Sequence, residues 1–240
     1  MVNFFHTILS QPLFNGLIAL YQYVPGHDLG VAIILLTLII KFILYPLAAK
    51  GIQSQKALNQ LQPKMKEIQE RLKNNKEEQA KAVMALYKTE KVNPFSGFLT
   101  LIIQLPILWA LFRVFINGFS EEKLSILYPF ISNPGQINTS FLGIVDLSKA
   151  SIVLAILTGV AQFIQSKMTV PSQPKKNQTG APQFSNMMQK QMLYFLPLFT
   201  VFILWRMPAA VALYWLTTTI FTIVQQYIIL KKHEPRIKEN

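Results

Sequence analysis

An all-α polytopic membrane protein is the fold class that three features of this 240-residue chain predict. Its composition is 51% hydrophobic with a mean hydropathy of +0.32. Several apolar runs approach or exceed the roughly twenty residues that a helix needs to cross a bilayer core about 30 Å thick. The net charge of +12 is concentrated in alternate connections between those runs. Helices must be the spanning elements, because open strands would leave backbone groups unpaired in lipid. With no cysteine, the chain has no disulfide, no thiolate metal site and no lipid-anchored cysteine. Residues 1–28 contain no Lys or Arg, so no cleavable signal peptide is expected there.

The elements follow in order. Residues 1–28 read as an outer interfacial amphipathic helix, with Phe5, Leu9, Leu13, Leu17 and Leu20 on one face and Pro12 interrupting it. A first span is expected at 29–49 and a cytoplasmic helical hairpin at 50–97. The hairpin is read from Leu58, Leu61, Met65, Ile68 and Leu72, whose 3,4,3,4 spacing makes a narrow seam on one helix. Pro63 predicts a kink or a restart within that seam. Further spans are expected at 98–116, 150–167, 191–207 and 208–230. They are joined by an outer loop at 117–149 and a cytoplasmic loop at 168–190, and a cytoplasmic tail occupies 231–240. From the N-terminus the connections hold 0, 10, 2, 4, 1 and 4 basic residues, with Lys167 counted in the loop after the third span. That alternation predicts five crossings, the N-terminus outside and the C-terminus inside.

No predicted span contains Asp or Glu, and His6, His27 and His233 all lie outside them. Coupled transport through an intramembrane carboxylate, a membrane metalloprotease and a phosphate-cradling glycine loop are therefore disfavoured. No catalytic residue, metal site or cofactor is expected. The polar residues inside the spans include Thr37, Lys41, Gln104, Thr158, Gln162, Gln165, Thr217, Thr218, Thr219, Gln225 and Gln226. Most can serve as interhelical glue. Lys41 differs in scale, since a lysine at helix centre costs about 2.5–3.5 kcal/mol on insertion scales. It lies about 12 Å from the cytoplasmic end of its span at the helical rise. A hydrated, positively charged cavity open toward the cytoplasm is one reading, and a lysine snorkelling from a lipid-facing surface is the other. Arg113 and Arg206 fall near the outer ends of their spans, where snorkelling is expected.

Four segments in order, LLTLIIKFILYPL, QLQPKMKEIQERL, VNPFSGFLTLIIQLPILWALF and PAAVALYWLTTTIFTIVQQY, resemble the YidC, Oxa and Alb family of membrane protein insertases across nearly all of residues 29–230. The large periplasmic domain of some bacterial relatives has no counterpart among these segments. The resemblance implies a five-helix core enclosing a hydrophilic groove that is open to cytoplasm and lipid. It places Lys41 where relatives carry an arginine, keeping the charge but losing the planar fork. It assigns a groove glutamine to Gln165, with Gln162 as the alternative, and the tryptophan of the LYW motif to Trp215. The expected groove set is thus Lys41, Gln104, Gln162, Gln165, Trp215 and Thr218. The hairpin seam is expected to receive substrate. The partners implied are nascent membrane proteins, the bilayer of the bacterial cytoplasmic (inner) membrane, the translating ribosome and the Sec translocon, with no sequence-specific nucleic acid. An anion-attracting channel or transporter and a non-inserting assembly factor are the rival functions.

Overall fold

A computed structural model of the chain describes residues 6–93, 96–117, 124–169 and 191–232. The expected cytoplasmic loop and tail lie mostly outside these residues. Helix α1 (Gln11–Tyr23) follows a π-helical turn at His6–Ser10. It carries Pro12 in its first turn, where the missing N–H has no intrahelical partner to lose. It stops at the extended Val24, ahead of Pro25.

α1 is packed more deeply against the rest of the protein than its expected apolar face alone implies. Leu9, Leu13 and Leu20 are only half-buried, whereas Phe14, Asn15, Leu17, Ile18 and Tyr21 are fully buried. The helix is held between the bundle and the outer loop, so two of its flanks are covered instead of one. Asn15 shows why: its Nδ2 donates to Gln11 O at 2.9 Å, and its Oδ1 accepts from Tyr128 N at 2.6 Å. Tyr21 adds a second tie, its hydroxyl accepting from Asn138 N at 2.9 Å.

Helix α2 (Leu29–Ile43) begins at Asp28, both of whose carboxylate oxygens are used. Oδ1 accepts from Val31 N at 3.0 Å as an N-cap. Oδ2 accepts from Leu142 N at 2.6 Å, fixing the outer loop to the helix end. Gly30 permits this approach, because a Cβ there would run into the Phe141 ring. The predicted span 29–49 is not one straight helix. The chain bends by 66° at Leu44 and continues as α3 (Tyr45–Arg71), so Tyr45–Ala49 belong to the following element. Pro46 explains the break: inside a continuous helix it would remove a hydrogen bond and crowd the preceding turn, but in a first turn it costs little.

At Pro63 the outcome is reversed, with α3 running through it without a restart. Pro63 is exposed, which leaves the displaced carbonyl a turn earlier room to be solvated. Helix α4 (Lys76–Thr89) starts at Asn75, whose Oδ1 accepts from Glu78 N at 3.1 Å. It returns antiparallel along α3. Gln79 Nε2 donates to Gln69 O at 2.8 Å, the Tyr87 hydroxyl meets Met65 Sδ at 3.2 Å, and Lys64 pairs with Glu90 at 2.5 Å. Burial pushes the Tyr87 hydroxyl pKa up. Of the seam residues only Leu61 is fully buried; Leu58, Met65, Ile68 and Leu72 are half-buried. No α4 residue is fully buried, as expected of a thin two-helix arm.

The remaining elements are α5 (Ser96–Asn117), a short hairpin of β1 (Ser140–Phe141) with β2 (Val145–Asp146), α6 (Ile152–Thr169), α7 (Leu196–Leu204) and α8 (Ala209–Lys232). A π-helical turn at Gln191–Phe195 precedes α7. The core centres on the start of α8, where Ala209, Ala210, Val211, Ala212, Leu213 and Tyr214 are all buried. α8 packs chiefly on α6 and α2, and α7 packs on α6. Small side chains set that last contact: a Cβ on Gly159 would collide with the Val201 side chain and come within 3.3 Å of Pro197 O. Among the described residues α6 and α8 are each long and apolar enough to cross a membrane, and a third span results if bent α2–α3 is taken as one. The 104–116 part of α5 and the 193–204 segment are apolar but shorter.

Candidate functional site

Lys41 stands in the last turn of α2 and is 8% exposed. Its Nζ donates to Thr222 Oγ1 on α8 at 3.2 Å, and the Thr222 hydroxyl donates to Thr218 O at 2.8 Å. Among the described residues no carboxylate pairs with it; their ion pairs join Lys64–Glu90, Lys81–Glu77 and Lys149–Asp146. The lysine therefore does not snorkel from a lipid-facing surface. It is folded against a neighbouring helix, with a neutral hydroxyl as partner. Just beyond the α2 break, Gln225 Nε2 on α8 donates to Tyr45 O, at the start of α3, at 3.3 Å. Thr37, one turn before Lys41, is buried but bonds its own helix through Ile33 O at 2.6 Å.

The other expected residues divide into groups. Gln162 on α6 is 8% exposed, and its Oε1 has no hydrogen-bond partner among the described residues. Gln226 on α8 also leaves Oε1 unpaired, while its Nε2 donates to Thr169 Oγ1 at 3.3 Å. Gln165 is half-buried, and its backbone carbonyl accepts from Thr169 Oγ1 at 3.0 Å. Trp215 and Thr218 are half-buried on α8, and Thr218 joins Lys41 through Thr222. Gln104 on α5 donates its amide to the hydroxyl of the buried Tyr214, one turn before Thr218 on α8. Buried acceptors without partners are costly in a dry interior. Gln162 and Gln226 thus mark a polar seam between α6 and α8.

Sequence reasoning missed Thr222 and Tyr214. Thr222 had a signal, lying four residues after Thr218 and hence on the same helical face. Tyr214 could have been read as the buried half of the LYW motif.

A cleft of about 380 Å³ lies away from Lys41, between Leu29, Phe115, Ala210 and the outer-loop residues Gln136, Thr139 and Ser148. Leu29 and Lys41 are at opposite ends of α2, about 18 Å apart at the helical rise. This cleft is therefore not the cavity expected around the lysine. At the Lys41 end the arm is fastened to the bundle: Asn59 Nδ2 donates to Thr169 O at 2.8 Å, and Lys56 Nζ reaches Leu230 O at 3.4 Å. Thr169 thus links α3, α6 and α8. Among the described residues no group of three His, Asp or Glu side chains could hold a metal.

Residues 19–236 match the profile of the family described as 60Kd inner membrane protein. The membrane protein insertase YidC of Fusobacterium nucleatum is 32% identical over 231 residues, which is 96% of this chain and 99% of that protein. The membrane protein insertase YidC of Geobacter metallireducens is 37% identical over 226 residues, 93% of this chain but 37% of that protein. The chain thus spans little more than a third of the length of several relatives it matches. A crystal structure of an active YidC insertase with its first transmembrane domain resolved superposes with a TM-score of 0.58 at 24% identity. It covers 94% of this chain and 47% of that one, and shows a shared fold. A profile match from residue 19 to residue 236, joined by a relative aligned over nearly its whole length, places this chain in the 60Kd inner membrane protein family, that of the YidC insertases.

Proposed function

We propose that this chain is a membrane protein insertase of the bacterial inner membrane, which moves nascent transmembrane segments and short hydrophilic tails into the bilayer without a covalent step. The observation that carries the reading is Lys41, a cation buried between α2 and α8 whose partner among the described residues is a hydroxyl. A charge retained at such cost and left without a counter-ion suits an anionic group that arrives with the client. At an effective dielectric near 20, a charge pair 4 Å apart gives about 4 kcal/mol before desolvation, enough to offset part of the cost of drawing an acidic tail inward. In this reading the chain crosses the membrane five times, N-terminus out. A hydrophilic groove includes Lys41, Gln162, Gln165 and Thr218, with Trp215 at its edge and Gln104 bracing Tyr214. The arm meets the client first, through the seam of Leu58, Leu61, Met65, Ile68 and Leu72 once it opens from α4. Burial of the client's apolar segment in lipid supplies the driving force. The translating ribosome and the Sec translocon are the partners upstream.

The test is insertion of a single-span client with an acidic N-terminal tail by the purified protein in lipid vesicles. Insertion by this protein alone, slowed about tenfold in Lys41→Ala and kept in Lys41→Arg, is expected. Full activity of Lys41→Ala removes the lysine from the mechanism. Anion flux without client identifies a channel, and client binding without insertion an assembly factor.

A further inference from the structure

Arg113 and Arg206 play no part in the reading above, and both are exposed. Each stands in an apolar stripe on one helix face, near its outer-loop end. On α5 the exposed residues Leu105, Trp109 and Ile116 lie in line with Arg113. On α7 and its leading turn, Phe195, Phe199 and Phe202 lead to Arg206 at helical spacing, the first two rings stacked at 5.6 Å. Both arginines sit at the same end of the bundle, remote from the arm. Phe115, two residues past Arg113, lines the cleft shared by Leu29 and Ala210. Arg206 is in the turn before Ala209, whose N–H donates to Lys149 O in the outer loop at 2.7 Å.

Snorkelling would extend these side chains away from the apolar stripe toward water. Instead each folds back over the ring one turn deeper: the Arg113 guanidinium lies 4.2 Å from the Trp109 ring centre, and that of Arg206 lies 5.5 Å from Phe202. Stacking engages the face of the guanidinium and leaves its edge N–H groups directed outward in a fork. Among the described residues no carboxylate pairs with either group and no acceptor takes its N–H donors. In the five-span reading proposed above, this is a forked donor at the level where hydrocarbon gives way to headgroups, beside a strip of exposed apolar side chains, and it complements one ligand: a phosphodiester with acyl chains below it.

We propose that Arg113 and Arg206 each bind the phosphodiester of an anionic phospholipid in the outer leaflet, with an acyl chain lying along the Leu105–Trp109 strip or the Phe195–Phe199–Phe202 strip. The placement at the headgroup level rests on the spans proposed above, and the assignment to the outer leaflet on their orientation. Lipid binding is read without an insertion assay, so failure of either proposal leaves the other standing.

Native mass spectrometry of the full chain, released from mixed phosphatidylglycerol and phosphatidylcholine micelles, tests this. Phosphatidylglycerol is expected to be retained over phosphatidylcholine, with retention falling about fivefold for each of R113Q and R206Q and R113K/R206K intermediate. In bilayers, the wild-type chain is expected to show stronger tryptophan quenching by brominated phosphatidylglycerol than by brominated phosphatidylcholine, a measurement that does not depend on any variant folding. Equal retention of the two lipids, or undiminished phosphatidylglycerol retention by R113Q/R206Q, overturns the proposal. Displacement of the bound lipid by soluble glycerol phosphate overturns it in favour of a free-phosphate site.

Discussion

Lys41 and Thr222 are joined across the α2–α8 interface by a 3.2 Å hydrogen bond, in which a buried ammonium has a neutral hydroxyl as partner. The pairing sets stability against function. Replacing a buried, poorly compensated charge with an apolar side chain of similar length is often neutral or stabilising. Lys41→Met is therefore expected to leave the thermal midpoint in detergent unchanged or raised. The same variant should slow insertion of acidic-tailed clients by roughly tenfold, a difference of about 1.4 kcal/mol. A variant that is both less stable and fully active contradicts this account. Thr222→Val should cost about 1–3 kcal/mol by leaving the ammonium unpaired, and close to nothing when Lys41 is already Met. A double-mutant cycle reads that coupling directly.

The junction at Thr169 predicts a different kind of change. Asn59 donates to Thr169 O at 2.8 Å, so Asn59→Ala loosens the arm from the bundle without touching the α3–α4 contacts. The loss is about 1 kcal/mol. Hydrogen exchange in detergent should show faster labelling of the first half of α3, with α6 unaffected. Unchanged protection in that segment means that the arm is held by other contacts.

At the α6–α7 crossing, Gly159→Ala should destabilise by about 1–3 kcal/mol, although glycine to alanine within a helix ordinarily helps by about 1 kcal/mol. The cause is the Val201 side chain, which occupies the space a Cβ would need. Val201→Ala in the same chain should restore much of the loss. Denaturant titration of the single and double variants checks the order; a Gly159→Ala chain at least as stable as the parent rules out the close approach.

Asp146 organises the outer β-hairpin. The Ser148 hydroxyl, the Lys149 ammonium, the Ser148 N–H and the Thr139 hydroxyl all bond it, and together they hold its carboxyl far below the usual carboxylate range. A depressed folded-state value means that the contribution is complete above the ordinary value of 3.8 and is lost as pH falls below it. Protease resistance of residues 139–149 is thus expected to be flat from neutral pH down to about 5 and to decline below about 4. Asp146→Asn should remove that pH dependence. A loop that loosens near pH 6 points to another titrating group.

Much of the architecture could be read from local pattern. The apolar runs behind α6 and α8, the return of α3 on α4 and the isolated charge at 41 all follow from hydropathy, helical period and spacing, which act between residues close in the chain. Those signals placed Lys41 in a span but could not say which face of α2 it occupies, because that depends on Thr222, 181 positions away. Nor could they show that the amide of Gln104 meets Tyr214, 110 positions away. The helical period of α1 likewise does not reveal the ties of Asn15 and Tyr21, which form only where the outer loop packs over them. The two prolines make the point within one helix. Pro46 and Pro63 have the same chemistry and sit in equally regular segments, yet one lies at a 66° bend and the other inside an unbroken helix. A pyrrolidine ring removes one hydrogen bond wherever it occurs. Whether the chain turns there depends on what covers the freed carbonyl, and only packing settles that.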